Sequence, residues 1–399
     1  MAGIADRPRR GRIGSFVSDP RLRGIAVQLT LVLFVAWLGW SFFENARQNL
    51  AAQKIASGFG FLSETAGFGL SQSLIPYAES STYGRAFVVG LLNTLLVAAI
   101  GIVIATVIGF TVGIARLSSN ILLARLAGAY VETLRNLPLL FQILFWYLAV
   151  LGTLPGPRES EPLFGAFYAT NRGLLAPRLL LEEGSGVIFA ALAIALAAGI
   201  ALAVWSRRRA ARTGARFPWM TLSLALIVGL PAAAFFTAGM PISLELPELR
   251  GFNFVGGLRV NPEFLALLFA LSTYTAAFIA EIVRAGFLAV PRGQLEAAGS
   301  LGLRRRETLR FVLAPQAMRL IVPPLTSQYL NLTKNSSLAA AIGYPDFFYV
   351  FAGTTLNQTG QAIEIIAVTM AVYLVISLVT SLFMNWYNRA VALKGADTR

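Results

Sequence analysis

The stretch EAAGSLGLRRRETLRFVLAPQA runs from Glu296 to Ala317. Glu296, Ala297 and Ala298 precede Gly302; Arg304, Arg305 and Arg306 follow it and precede Pro315. These residue types do not make or break bonds at this spacing. They suit a fold-back made for contact. A short helix begins after Pro291, since proline is at home in a first helical turn. Gly302 supplies the left-handed residue that ends such a helix. A second short helix, LRRRETLRFVLA, is expected to follow, and Pro315 to end or kink the chain. The alanines let another surface approach closely. Arginines at a helix start oppose its dipole, which points to an acidic partner or a lipid phosphate. Two readings stand: a rigid knob for another protein's groove, or an ordinary basic loop between two apolar segments. Composition alone leaves both open.

Such a knob needs a scaffold, and the rest of the chain reads as membrane helix. Of the 399 residues, 56% are hydrophobic and 13% charged, a balance outside the soluble range. Runs such as VIFAALAIALAAGIALAVWS (Val187 to Ser206) lack charge for the ~20 residues a bilayer crossing requires. They are continuous rather than alternating, which predicts helices and not barrel strands. There are eight expected spans, at about 24–43, 87–115, 130–152, 187–206, 219–240, 264–284, 318–334 and 365–387. With the N-terminus inside, segments 1–23, 116–136, 206–217, 284–319 and 388–399 hold 24 of the 33 Lys and Arg against six acids. The outside segments hold nine bases and twelve acids. The net charge of +14 is then mostly topology, and no nucleic-acid partner is expected. The run GIAVQLTLVLFVAWLGWSFF is longer than a signal-peptide core and is read as an uncleaved anchor. The chain has no cysteine and no histidine. That removes disulfides, thiol nucleophiles, imidazole bases and the common zinc sets.

At Glu296–Ala297–Ala298, Gly302 and Val312–Leu313–Ala314–Pro315 the chain resembles the EAA motif of ABC importer permeases. Ala314 stands where that motif has leucine. Flanking stretches resemble the polar amino acid (histidine, glutamine, glutamate) branch: AEIVRAGFLAVPRGQLEAA, APQAMRLIVPPLTSQYLNLTKNSSLAAAIG, YVETLRNLPLLFQILFWYL and GLLNTLLVAAIGIVIATVIGFTVGIARLS. An extra N-terminal helix and a large insertion are most similar to the general L-amino-acid permeases, which work as pairs of non-identical subunits. The resemblance implies an all-α polytopic membrane protein, about eight transmembrane helices around a five-helix type I ABC importer permease core. It implies this division: 1–23, cytoplasmic segment; 24–84, anchor helix and periplasmic loop; 85–152, first core part; 153–261, insertion with two spans; 262–392, second core part with coupling helices at about 291–315; 393–399, cytoplasmic tail. The longer connections 44–86 and 153–186 are expected to be loops or surface helices.

The same resemblance implies a transport subunit in the bacterial inner membrane with both termini cytoplasmic. Its partners would be a second permease subunit, two ATP-binding subunits and a periplasmic amino-acid-binding protein, with an L-amino acid as substrate and lipid around it. No cofactor is expected on this chain; ATP and Mg belong to the ATP-binding subunits. No GxxxxGK[ST] loop occurs here, in keeping with that division. Glu296, Ala297, Ala298, Gly302, Arg304, Arg305, Arg306 and Pro315 would meet the ATPase. Among polar residues in the spans, Glu281 either holds a substrate ammonium or pairs with Arg284 at i,i+3. Asn93, Thr94, Gln142, Thr273, Thr275, Gln328 and Asn331 either line a wet pathway or make interhelical hydrogen bonds. Lys334 either attracts a carboxylate or snorkels. Gly90, Gly101, Gly109 and Gly113 are expected at close helix contacts. The alternatives are an ATP-independent transporter or channel, and an ABC permease for another small polar solute.

Overall fold

The computed structural model describes residues 20–52, 58–215 and 217–391. The expected cytoplasmic tail 393–399 and most of the N-terminal segment 1–23 lie outside these. Six helices are long and apolar enough to cross a membrane. They are α1 (Pro20–Ala52), α2 (Tyr83–Ala115), α5 (Ser185–Thr213), α6 (Trp219–Thr237), α7 (Pro262–Leu288) and α12 (Ala362–Val391). A seventh span exists if a bent pair counts as one. That pair is α3 (Ile121–Asn136) with α4 (Leu139–Leu144), which widens into a π-helical stretch at Phe145–Leu151.

Two of the eight expected spans are therefore corrected. The chain does not run straight through 130–152: α3 and the following helix meet at 108°. Leu137 is extended at φ −92, ψ 131, the conformation that a following proline imposes. Gln142 then holds the corner, its Nε2 donating to Leu134 O at 2.9 Å and Leu137 O at 3.0 Å. The seventh expected span is a helix, α10 (Ala314–Asn335), but it is too polar to qualify, with Pro323 and Pro324 inside it. It packs instead on α7, α12 and α2.

The centre of the fold is the pair α2 and α7. Contacts rise together along both chains: Gly101 faces Leu268, Gly109 faces Ala276 and Ile279, Gly113 faces Ala280 and Val283. The two helices are therefore parallel, as the expected topology requires of two outside-to-inside spans. A Cβ on Gly109 would lie 2.5 Å from Ile279 Cγ2, and one on Gly113 2.8 Å from Ala280 O. A Cβ on Gly101 would lie 3.3 Å from Leu332 Cδ2 of α10, and one on Gly90 3.1 Å from Phe347 Cα. All four glycines sit where the reading of the sequence put them, at close approach.

The insertion contains short strands rather than only loops and helices. β1 (Tyr168–Thr170), β2 (Gly173–Ala176) and β7 (Leu258–Val260) form one antiparallel sheet. β3 (Arg178–Leu181) pairs with β4 (Ile242–Glu245), and β5 (Glu248–Arg250) with β6 (Asn253–Val255). Because β3 leads into α5 and β4 leaves α6, ribbon and helix pair form one continuous arm. The β2–β7 register, Leu174 with Val260, brings the first part of the insertion beside its last residues.

The segment between α10 and α12, which includes the single turn α11 (Leu356–Thr359), closes over α2. Asn93 Nδ2 donates to Pro345 O at 2.9 Å and Gln72 O at 3.0 Å. Thr94 Oγ1 accepts Phe347 N–H at 2.9 Å, and Tyr344 OH donates to Asn93 O at 3.1 Å. Asp346 is fully buried there. Its Oδ1 accepts Tyr349 N–H at 2.8 Å and its Oδ2 accepts Tyr373 OH at 3.1 Å. Burial pushes its carboxyl up to about 7.

Two predictions follow from this packing. Gly109→Leu overpacks the α2–α7 contact and lowers stability by about 1–3 kcal/mol, read as a lower thermal midpoint of purified protein. Gly128→Ala meets nothing within 4 Å and leaves the midpoint unchanged or higher. The raised Asp346 pKa means that the folded chain keeps a proton the unfolded chain has lost between about pH 4 and pH 7. Stability falls as pH rises through that window, and Asp346→Asn removes this slope. Identical slopes in both proteins would contradict the assignment.

Candidate functional site

The fold-back found in the sequence is a defined bracket. α7 ends at Leu288, and Pro291 precedes α8 (Arg292–Ser300). Gly302 has φ +73. Its N–H bonds Gly299 O at 2.9 Å, and Leu303 N–H bonds Ala298 O at 3.1 Å. This pair of bonds is the Schellman closure, in which a left-handed residue satisfies the last carbonyls of a helix. Arg304 then precedes a single turn, α9 (Arg305–Thr308). Its backbone N–H is accepted by Glu307 Oε2 at 2.9 Å. Glu307 thus puts a negative charge in the first turn, where the arginines alone would be unfavourable.

Pro315 neither ends nor kinks the chain here. The backbone widens into a π-turn at Leu309–Leu313, with Ala314 N–H on Leu309 O, and continues into α10. The expected second helix is therefore one α-turn and one π-turn. A proline lacks the N–H for the ordinary bond and crowds the carbonyl four residues back; the wider turn just before it accommodates both. Within the bracket Ala298 is buried, while Glu296, Ala297, Arg304, Arg305 and Arg306 are exposed. Leu301 is 80% exposed at the apex. Gln316 Nε2 reaches Gln294 Oε1 at 3.3 Å across the bracket's base.

Above the bracket, Glu281 is held by two guanidinium groups. Arg284 Nη2 lies 2.6 Å from its Oε1, and Arg116, at the end of α2, pairs with its Oε2. The Arg284 pair is the i,i+3 contact visible in the sequence; Arg116 is the partner that sequence reasoning missed. Its position at the foot of α2, parallel to α7, was the available signal. Arg116, Arg125, Glu132 and Arg284 line an open polar cavity of about 570 Å³ beside this cluster. A second cavity of about 680 Å³ is lined by Tyr130, Thr133, Gln142, Trp146 and Thr273. Tyr130 OH donates to Thr273 O at 2.8 Å, and Thr273 Oγ1 to Phe269 O at 2.6 Å.

The remaining polar residues separate by environment. Asn93 and Thr94 are fully buried and make the interhelical bonds described above. Thr275 is buried in α7. Gln328 is half-buried, whereas Asn331 and Lys334 are exposed. Leu320, Pro324, Ser327, Asn331 and Lys334 recur at three- and four-residue steps and form one exposed face of α10. Ser327 was not singled out from the sequence, although its spacing from Asn331 carries the signal.

Comparison with known proteins agrees with this geometry. The sequence matches the family model described as binding-protein-dependent transport system inner membrane component over residues 101–393. It is 52% identical to the general L-amino acid transport system permease protein AapQ of Rhizobium johnstonii, over 97% of each chain. It is 42% identical to the glutamate/glutamine/aspartate/asparagine transport system permease protein BztB of Rhodobacter capsulatus, over 99% of this chain and 100% of that one. The glutamate/aspartate import permease protein GltJ of Escherichia coli K12 is 38% identical over 44% of this chain and 72% of its own. The chain therefore belongs to the family of binding-protein-dependent transport system inner membrane components.

Proposed function

We propose that this chain is a transmembrane permease subunit of an ATP-driven importer of L-amino acids. The observation that carries the reading is the bracket. It is a fold-back at one end of the bundle, closed by Gly302, with Glu296, Ala297, Leu301, Arg304, Arg305 and Arg306 exposed. The names and full-length coverage of AapQ and BztB support amino acids as the substrate class. The bracket seats in the groove of an ATP-binding subunit, which supplies ATP and Mg. Two such subunits serve a pair of permease chains, and a periplasmic binding protein delivers the substrate. The membrane is the bacterial inner membrane, with both termini cytoplasmic, as the distribution of arginines favours.

The exposed face of α10 is the favoured wall of the pathway. Ser327, Asn331 and Lys334 against hydrocarbon would be costly; against a second subunit or a wet channel they are not. Gln328 lies on α10 beside this face, and Thr275 on α7, which packs against α10. Asn93, Thr94 and Gln142 act instead as struts, since the amide N–H groups and the Thr94 hydroxyl are committed to backbone partners.

Gly302→Val tests the coupling role. Its φ of +73 disfavours any β-branched residue, although no atom lies within 4 Å of the added Cβ. We expect normal membrane insertion with ATP-driven amino acid uptake reduced at least tenfold. Wild-type uptake in this variant would remove the bracket from the mechanism.

A further inference from the structure

We propose that the cavity between the bracket and the inner ends of α2 and α3 is a binding site for an anionic phospholipid. One acyl chain fills the cavity and the headgroup phosphate rests on Arg305. The cavity measures about 1020 Å³, at the upper end of the ~300–1,000 Å³ that small-molecule sites occupy. Its wall includes Ile114, Leu117, Phe287, Leu288, Leu309 and Leu313, with Arg305 among them. An apolar wall of this kind offers water few hydrogen-bonding partners, so the space calls for hydrocarbon.

Three observations direct the choice of occupant. Ile114, Leu288 and Leu309 are each about half exposed or more, at 54%, 61% and 48%. The cavity wall therefore continues onto the outer surface of the bundle, where lipid lies. The site also lies beside Ala115 and Leu288, the last residues of the apolar helices α2 and α7, and lipid headgroups are expected at the end of an apolar span. Finally, Arg305 has no carboxylate within ion-pair distance among the described residues; Glu281 serves Arg116 and Arg284, and Glu307 serves the Arg304 backbone. A planar guanidinium matches a phosphate through paired hydrogen bonds. The three arginines of this turn thus divide: Arg304 and Arg306 remain for the partner surface, and Arg305 anchors the lipid.

A bound chain here would pack under the bracket and stiffen its joint with the helices. The leaflet rests on the orientation proposed above; occupancy of the cavity does not. The test uses the complete transporter in lipid nanodiscs containing phosphatidylglycerol with a photoreactive acyl chain. Labelled peptides are mapped by mass spectrometry. Label is expected within residues 114–123 and 303–314, competed by unlabelled phosphatidylglycerol several-fold better than by phosphatidylcholine. It falls several-fold in Leu288→Trp, which fills the cavity, and in Arg305→Gln, which removes the anchor. Where the tryptophan variant fails to assemble, the glutamine variant and the competition decide. Label absent from these peptides, equal competition by the two lipids, or label appearing only after the ATP-binding subunits are stripped away would overturn the proposal. None of these readouts depends on transport, so failure of the transport reading would register separately.

Discussion

The parallel contact of α2 with α7 is the constraint on which the molecule's other features rest. It depends on the missing side chains of Gly109 and Gly113. Within a bilayer there is little hydrophobic gain from bringing two helices together, so close van der Waals packing has to supply the attraction. Gly109 and Gly113 admit Ile279 and Val283 into the surface of α2. The C-terminal end of α2 is then tied by the Arg116–Glu281 ion pair. Its N-terminal part is tied by Asn93 and Thr94 to the segment around Asp346. One rigid pair thus connects a polar latch at one end with the bracket at the other. A displacement of the bracket enters α7 directly through Pro291, and α7 cannot move without α2.

Much of this was legible in the sequence because it depends on local chemistry. Long apolar runs with few charges located α1, α2, α5, α6, α7 and α12. Gly302 was readable as a left-handed helix end because only its own φ and two neighbouring hydrogen bonds are involved. The close-packing glycines were readable because a small residue in an apolar helix has few other uses. The bend at Leu137 was only half legible. Pro138 announces it, but α3 is amphipathic enough to mimic a span, and the corner is held by Gln142, whose amide looked like a pathway group.

Non-local features were not legible. Asn93 and Thr94 find partners some 250 positions away, and nothing in their neighbourhood distinguishes such a strut from a pore-lining group. The strands of the insertion are three or four residues long, too short to show a period, and β3 is exposed along its whole length. α10 was readable as a helix, but its sequence alone did not show that one side packs on α7, α12 and α2 while Ser327, Asn331 and Lys334 stay exposed. Pro315 was misread because a π-turn depends on the register of the turns flanking it. In each case the missing information was the identity of a neighbour.

In the proposed transporter an ATP-binding subunit covers the exposed side of the bracket and moves with it. The natural absence of cysteine makes a direct measurement available. A single cysteine at Ala297 in the assembled transporter should cross-link to the ATP-binding subunit through a short bifunctional reagent. Adding ATP should change that yield, and the thiol should be shielded from water-soluble maleimide. Free labelling of that cysteine in the intact complex, with no cross-link in any nucleotide state, would contradict the account.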